Sequence, residues 1–244
     1  MYFEEVKCNL IIKFNIFKEF KNIFAAVTTR KTQTYSISNE KKHWVLYQEK
    51  LFDSIGVPLS NISYLKQTHS NVVKLVKKSG FRGCGDGMFT FEKRNFLVIT
   101  VADCVPVYFY IPKIELIGLV HCGWKGLKKG IIEKSLNILE KEIESFNVNN
   151  LYCVIGPHIK QCCYEFDKED ALSFGSKYIR KEKKNKVRLD LTGIVTDRLI
   201  NEGVKLNNIE ISPFCTSCNA ELFYSYRRDK SLKGRMIGII GLYC

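Results

Sequence analysis

The chain has 244 residues, of which 45% are hydrophobic and 26% charged. This length and balance exclude a disordered chain, a collagen repeat or a coiled coil, and they suffice for a full apolar core without disulfide staples. The formal net charge is +13, but only nine of the 38 basic residues are arginine. Lysines spread along a chain favour a solvated surface that attracts anionic substrates over a nucleic-acid interface.

The N-terminal stretch MYFEEVKCNLIIKF places Glu4 and Glu5 ahead of a short apolar run, which is not the pattern of a secretory signal. The longest apolar stretch, Phe96 to Pro112, is interrupted by Asp103 and falls short of the roughly 18 residues of a membrane span. A cytoplasmic protein with no membrane partner is expected. In that compartment the ten cysteines point to metal, catalysis or core packing before disulfides. No repeat or Pro/Ser linker divides the chain, so one domain over residues 1–244 is expected.

In chain order, Asn39–Ile55 reads as a helix through Trp44, Tyr47 and Leu51, with Gly56 at its end. Ile62–Leu65 and Val72–Val76 read as strands around the polar turn QTHSN, and Phe96–Val101, Val105–Ile111 and Leu116–Val120 as buried strands. Trp124–Phe146 reads as the main amphipathic helix, with Leu127, Ile131, Leu136, Leu139 and Ile143 on its apolar face. Leu151–Ile155 follows as a strand, then helices near Lys168–Ile179 and Leu191–Glu202. The basic run Arg180–Lys186 falls between those helices as a solvated loop, and Arg235–Leu242 is the last strand. Mixed strands and helices in this order predict an α/β or α+β sandwich.

Chemistry concentrates where polar residues interrupt apolar strands. His69 lies in the turn KQTHSN, His121 ends the strand LIGLV before Cys-Gly-Trp-Lys-Gly, and His158 follows Gly156-Pro157. His43 sits among lysines and carries no assigned role. Asp103-Cys104 breaks the most apolar segment, where an unpaired carboxylate must find a partner or line a cleft. His69, Cys104 and His121 have the ligand chemistry of a catalytic zinc site with one open position, although their spacing alone does not establish it. Asp103 or Asp86 could move a proton there. Arg30, Lys66, Lys125, Arg227 and Arg228 are candidate anion donors, each also readable as surface charge. Trp124 reads as core packing, and Tyr224 and Tyr226 as either a base pocket or a half-buried strand. Cys215-Thr-Ser-Cys218 lacks a second Cys-x-x-Cys or Cys-x-x-His, and Cys162-Cys163 could complete a four-cysteine set only through the accident of folding.

KQTHSNVV, GDGMFT, VADCVPV, HCGWKG, IGPHIKQCCYEF, LDLTGIVTDRLINEGV and CTSC with the later FYSYRRDKSLKGRMIGIIGL occur in one order from about Phe24 onward. In that order they resemble the YfiH/YlmD family, also called laccase-domain or multicopper polyphenol oxidoreductase proteins. The resemblance implies a single-domain, layered α/β/β/α fold, akin to cysteine-hydrolase-like deamidase toxins. It implies one zinc held by His69, Cys104 and His121; Cys104 and His121, with Asp103 as a proton shuttle, make up the expected catalytic set. It also implies phosphorolysis of adenosine, inosine and methylthioadenosine, with adenosine deamination as a companion activity and amidase editing of peptidoglycan precursors as the alternative. Purine nucleoside and phosphate are then the partners of a monomer or homodimer. Two departures bear on substrate choice: TRKTQTYS from Thr29 replaces the family's TRxGGxS, and HCGWKG replaces HAGWRG, so that Lys125 stands where arginine is usual. Several copper ions would need more imidazole than four histidines and no His-x-His pair supply, so copper is not expected as the native metal.

Overall fold

The computed structural model of the protein describes residues 1–7, 9–32, 48–181, 186–230 and 234–243. Every residue of the strands Phe96–Val101, Val105–Ile111 and Leu116–Cys122 is buried, so each must be covered on both faces. Two mixed sheets and two sets of helices provide that cover.

The first sheet contains, in spatial order, Tyr2–Val6 (β1), Asn9–Lys13 (β2), Ile23–Thr28 (β3), Met236–Leu242 (β16), Phe96–Val101 (β8), Ile62–Lys66 (β4) and Gly80–Cys84 (β6). The second contains Ile209–Ile211 (β15), Tyr152–Ile155 (β11), Val105–Ile111 (β9), Leu116–Cys122 (β10), Gly87–Thr90 (β7) and Val73–Leu75 (β5). A small third sheet joins Glu165–Asp167 (β12), Lys186–Leu189 (β14) and Ile179–Lys181 (β13). The helices are Glu49–Ser54 (α1), Trp124–Lys128 (α2), Ile131–Glu142 (α3), Lys168–Leu172 (α4), Leu191–Asn201 (α5) and Tyr226–Asp229 (α6).

The period-2 alternation of the strands sorts their side chains into layers. Leu97, Ile99 and Val101 meet Tyr108, Tyr110 and Ile117 between the two sheets. Phe96 and Val98 face the other way, onto Leu51 and Phe52 of α1. Val107, Phe109 and Val120 pack beneath Leu127, Ile131, Leu136 and Ile194 of α2, α3 and α5. The result is the layered α/β/β/α sandwich that the family resemblance implies, and a form of the α/β or α+β sandwich expected from the element order.

Several element boundaries differ from expectation. The helix expected over Trp124–Phe146 is two helices, because Gly130 adopts φ +75° and separates α2 from α3; that backbone conformation suits glycine. The helix expected over Lys168–Ile179 stops at Leu172, Gly175 turns the chain at φ +108°, and Ile179 opens a strand. Within the basic run, Arg180 and Lys181 belong to β13 and Lys186 to β14, which pair antiparallel, so these three are strand residues and not loop; residues 182–185 lie outside the described residues. Tyr226 starts a short helix and does not continue a strand. Of the helix expected over Asn39–Ile55, residues 39–47, including His43, lie outside the described residues.

His158 is a structural residue. It is fully buried, its Nδ1 donating to the Gly156 carbonyl at 2.7 Å while Nε2 accepts from Thr192 Oγ1 at 2.9 Å. Burial and nearby Lys160 hold its pKa at about 3, below the ordinary 6.5. The unfolded chain therefore takes up a proton below pH 6.5 that the native chain refuses until about pH 3. This contribution is complete above pH 6.5 and is lost as the pH falls toward 3. Urea titrations at pH 7 and pH 5 should show a drop in stability that His158→Gln makes shallower.

Close packing at Gly118 offers a second check. It lies opposite Phe89, and a Cβ there would come within 2.1 Å of the Phe89 ring. Gly118→Ala should cost about 1–3 kcal/mol by overpacking, read as a lower urea midpoint with an unchanged slope.

Candidate active site

The site forms where chain segments leave both sheets at one end. β4 and β8 run parallel as neighbours in the first sheet. The turn after β4 carries His69, and the turn from β8 into β9 carries Asp103 and Cys104. β9 and β10 are antiparallel neighbours in the second sheet, and His121, the penultimate residue of β10, lies opposite Pro106. Three residues distant in sequence thus meet at strand ends.

Asp86, between β6 and β7, holds the arrangement together. It is 0% exposed. Its carboxylate accepts the backbone N–H groups of Thr68 (3.2 Å), His69 (3.0 Å) and Ser70 (2.7 Å), as well as the Ser70 hydroxyl at 2.7 Å. It also bonds His121 Nδ1 at 2.8 Å, and its own carbonyl accepts the His121 N–H at 2.7 Å. These bonds hold His69 at φ +56°, a backbone region costly for a side chain with a Cβ and often found at functional positions. They also leave the other ring nitrogen of His121, Nε2, for its interaction with Cys104. Burial disfavours the Asp86 carboxylate charge, but His121 and Ser70 outweigh it and hold the carboxyl far below the usual range.

The same balance acts on the neighbours. Burial opposes the Cys104 thiolate, but His121 and His69 bring its pKa down to about 6. Burial opposes charge on His121, while Cys104 and Asp86 raise it to about 9. Cys104 Sγ lies 3.8 Å from His69 Nε2, and the two imidazoles meet edge to face at 4.9 Å. Donor atoms of His69, Cys104 and His121 all lie within 4.8 Å of one another. A tetrahedral zinc spaces such ligand atoms by about 3.3–3.8 Å, so these residues fit the metal after small side-chain adjustments. The bond from Asp86 to His121 is the outer-shell partner that metal-binding histidines ordinarily have. Gly123 permits the approach: a Cβ there would lie 2.6 Å from His69 Cδ2 and 3.2 Å from Cys104 Sγ.

Two cavities flank the group. One of about 220 Å³ is lined by Gln67, Thr100, Ala102, Tyr226 and Arg235, together with the three ligand candidates. The other, about 330 Å³, is lined by Thr68, Trp124, Lys125, Tyr164, Tyr226 and Arg227, among others. His69 and Cys104 border both.

Of the predicted anion donors, Lys125 and Arg227 line the larger cavity. Lys66 is exposed at the end of β4 and lines neither. Arg30 also lines neither: it stacks on Tyr224 at 5.2 Å and donates to the Ala220 carbonyl. Arg228 donates to the carbonyls of Thr216, Ser217 and Phe223 and pairs with Asp229. Asp103 borders the larger cavity, but its carboxylate already accepts Thr216 Oγ1 (2.6 Å), Ser225 Oγ (3.0 Å) and the Arg227 N–H (2.7 Å). Its observed work is to anchor the 216–227 segment rather than to present a free carboxylate. Sequence reasoning missed Arg235, which is 9% exposed with a buried Nη1 that has no hydrogen-bond partner among the described residues. Its only sequence signal is an arginine immediately before an apolar strand.

Comparison with known proteins places this geometry in a family. The family model described as multi-copper polyphenol oxidoreductase laccase matches residues 32–243. The chain is 34% identical over 212 residues to the purine nucleoside phosphorylase YlmD of Bacillus subtilis (strain 168), covering 80% of this chain and 76% of that one. It is 31% identical over 223 residues to the purine nucleoside phosphorylase YlmD of Geobacillus stearothermophilus, covering 84% and 81%. The crystal structure of YlmD from Geobacillus stearothermophilus superposes with a TM-score of 0.88 at 26% identity, over 99% of this chain and 98% of the other. That of the Bacillus licheniformis hypothetical protein YfiH gives 0.87 at 28% identity, over 98% of each. The chain thus belongs to the multi-copper polyphenol oxidoreductase laccase family, alongside the YlmD and YfiH proteins.

Proposed function

We propose that the protein is a zinc-dependent purine nucleoside phosphorylase, acting as one cytoplasmic domain on adenosine, inosine and methylthioadenosine. The names of its relatives support an enzyme of this kind. The observation that carries the reading is Arg235, which lines the cavity beside the His/Cys/His group and whose Nη1, itself buried away from the open space, has no hydrogen-bond partner among the described residues. A buried donor without a partner is costly, and a rotation of the guanidinium toward the cavity would pair it with a phosphate oxygen in a charge-assisted bond.

The two cavities suit two substrates. Phosphate occupies the smaller one against Arg235. The larger, with Trp124, Tyr164 and Tyr226 in its wall, takes the purine and ribose, the aromatic faces covering the base. Lys125 and Arg227 add positive charge at its border. Arg235 holds the phosphate so that one oxygen reaches C1′ of the ribose. The C1′–N9 bond breaks with its electron pair passing to the purine, which takes up the proton that the hydrogen phosphate gives up, and ribose 1-phosphate forms. His69, Cys104 and His121 would hold the zinc, and Asp86 keeps the His121 ring oriented. When bound, the ion supplies Lewis-acid stabilisation of charge developing on a substrate oxygen.

Two alternatives fare less well. An amidase using Cys104 as nucleophile needs that thiol free of metal, whereas the donor set of His69, Cys104 and His121 suits zinc; a metal-dependent amidase would share the site, and product analysis distinguishes it. A multicopper oxidase needs more imidazole than the described residues offer, because His158 is committed to Gly156 and Thr192, leaving His69 and His121. Companion deamination of adenosine would use the same site, and product analysis distinguishes it.

Incubation of the zinc-loaded protein with adenosine, with and without phosphate, should yield adenine only with phosphate. Inosine in both buffers would reveal deamination, and unchanged adenosine, inosine and methylthioadenosine would contradict the phosphorylase reading. Arg235→Gln should raise KM for phosphate by about ten- to a hundredfold, the loss of one charged hydrogen bond, with a smaller effect on KM for the nucleoside. Asp86→Asn should weaken zinc binding by about 10- to 100-fold, measured by competition with a chromophoric chelator.

A further inference from the structure

A second group of soft ligands stands apart from the His69–Cys104–His121 site. The sulfurs of Cys162, Cys163, Cys215 and Cys218 all lie within 4.8 Å of one another. Cys162 Sγ is 3.9 Å from Cys163 Sγ and 3.6 Å from Cys218 Sγ, and Cys163 Sγ is 3.3 Å from Cys218 Sγ. These separations are far longer than a disulfide bond of about 2.0 Å. They lie around the roughly 3.8 Å between sulfurs of a tetrahedral site with Zn–S of about 2.3 Å.

We infer that these four cysteines form a second zinc centre, a closed structural site with four thiolate ligands. The pairs come from two segments that the fold holds side by side. Cys162 and Cys163 follow β11, while Cys215 and Cys218 precede α6. A parallel bridge joins His158 to Cys215, and the Thr216 N–H donates to the His158 carbonyl at 3.0 Å. The Lys160 N–H donates to Cys215 Sγ at 3.4 Å, a contact that favours the thiolate over the thiol. Lys160 also interacts electrostatically with Cys215 and Cys162, offsetting the net negative charge of four thiolates around a divalent ion.

A four-sulfur tetrahedral set selects soft metals, and four protein ligands leave no position for substrate. The centre therefore acts by tying walls together. Tyr164, next to Cys163, lines the larger cavity. Thr216, inside the Cys215–Cys218 turn, donates to Asp103 at 2.6 Å, one residue from Cys104. Metal at the four cysteines would fix the distance between these two elements. This inference does not depend on the nucleoside reading.

The test is zinc stoichiometry by mass spectrometry on protein purified without chelator, for the wild type, Cys104→Ser and the double variant Cys163→Ser/Cys218→Ser. The expected result is two zinc ions per wild-type chain and one in each variant. Cobalt loaded into Cys104→Ser should show intense thiolate-to-cobalt charge-transfer bands and the visible bands of a tetrahedral tetrathiolate centre. That spectrum decides the matter even if the double variant fails to fold. Equal zinc content in the wild type and a folded double variant would overturn the inference. So would cobalt spectra without thiolate bands, iron in place of zinc, or a disulfide among these cysteines in protein purified anaerobically.

Discussion

The buried carboxylate of Asp86 ties two ligand-bearing segments into one geometry. It receives three consecutive N–H groups of the 68–70 turn on one side and the ring of His121 on the other. A carboxylate with no exposure is tolerable only when fully partnered, and breaking a buried pair by removing one member costs about 3–5 kcal/mol. The position of His69 relative to His121 therefore follows from the requirement that Asp86 be satisfied. The chemistry of the site and the stability of that corner of the fold rest on the same hydrogen bonds.

Asp103 plays the complementary part. Its side chain gathers Thr216, Ser225 and the backbone of Arg227, bringing the C-terminal segment against the turn that carries Cys104. Between the two carboxylates, Gly123 supplies the space in which His69 and Cys104 approach. The sandwich contributes strand ends that converge from both sheets, and His69 and Cys104, on the turns beyond those ends, border both flanking cavities. Arg235, just before β16, reaches the smaller cavity from the first sheet.

Much of this was legible in the sequence, for a physical reason. QTHS, ADC and HCGW are polar interruptions of apolar strands, and burial forces such residues to find partners. The buried strands between Phe96 and Val120 were equally plain. The break at Gly130 was hidden because α2 and α3 cover the same face of the second sheet, so the apolar spacing runs on across it. β6 was hidden because it carries two glycines and none of its residues is fully buried, and β3 because paired alanines weaken the strand signal. Arg235 could not be singled out, since its meaning lies in the partner it lacks. The four cysteines needed tertiary structure, as neither Cys162-Cys163 nor Cys215-x-x-Cys218 specifies a site alone.

The most direct test of the central claim is a zinc-edge anomalous difference map from crystals grown with phosphate. The account predicts a peak within bonding distance of His69, Cys104 Sγ and His121 Nε2, with phosphate bound to Arg235 in the adjoining cavity. A map with no metal among those three residues, or with phosphate bound elsewhere and Arg235 still unpartnered, would contradict it.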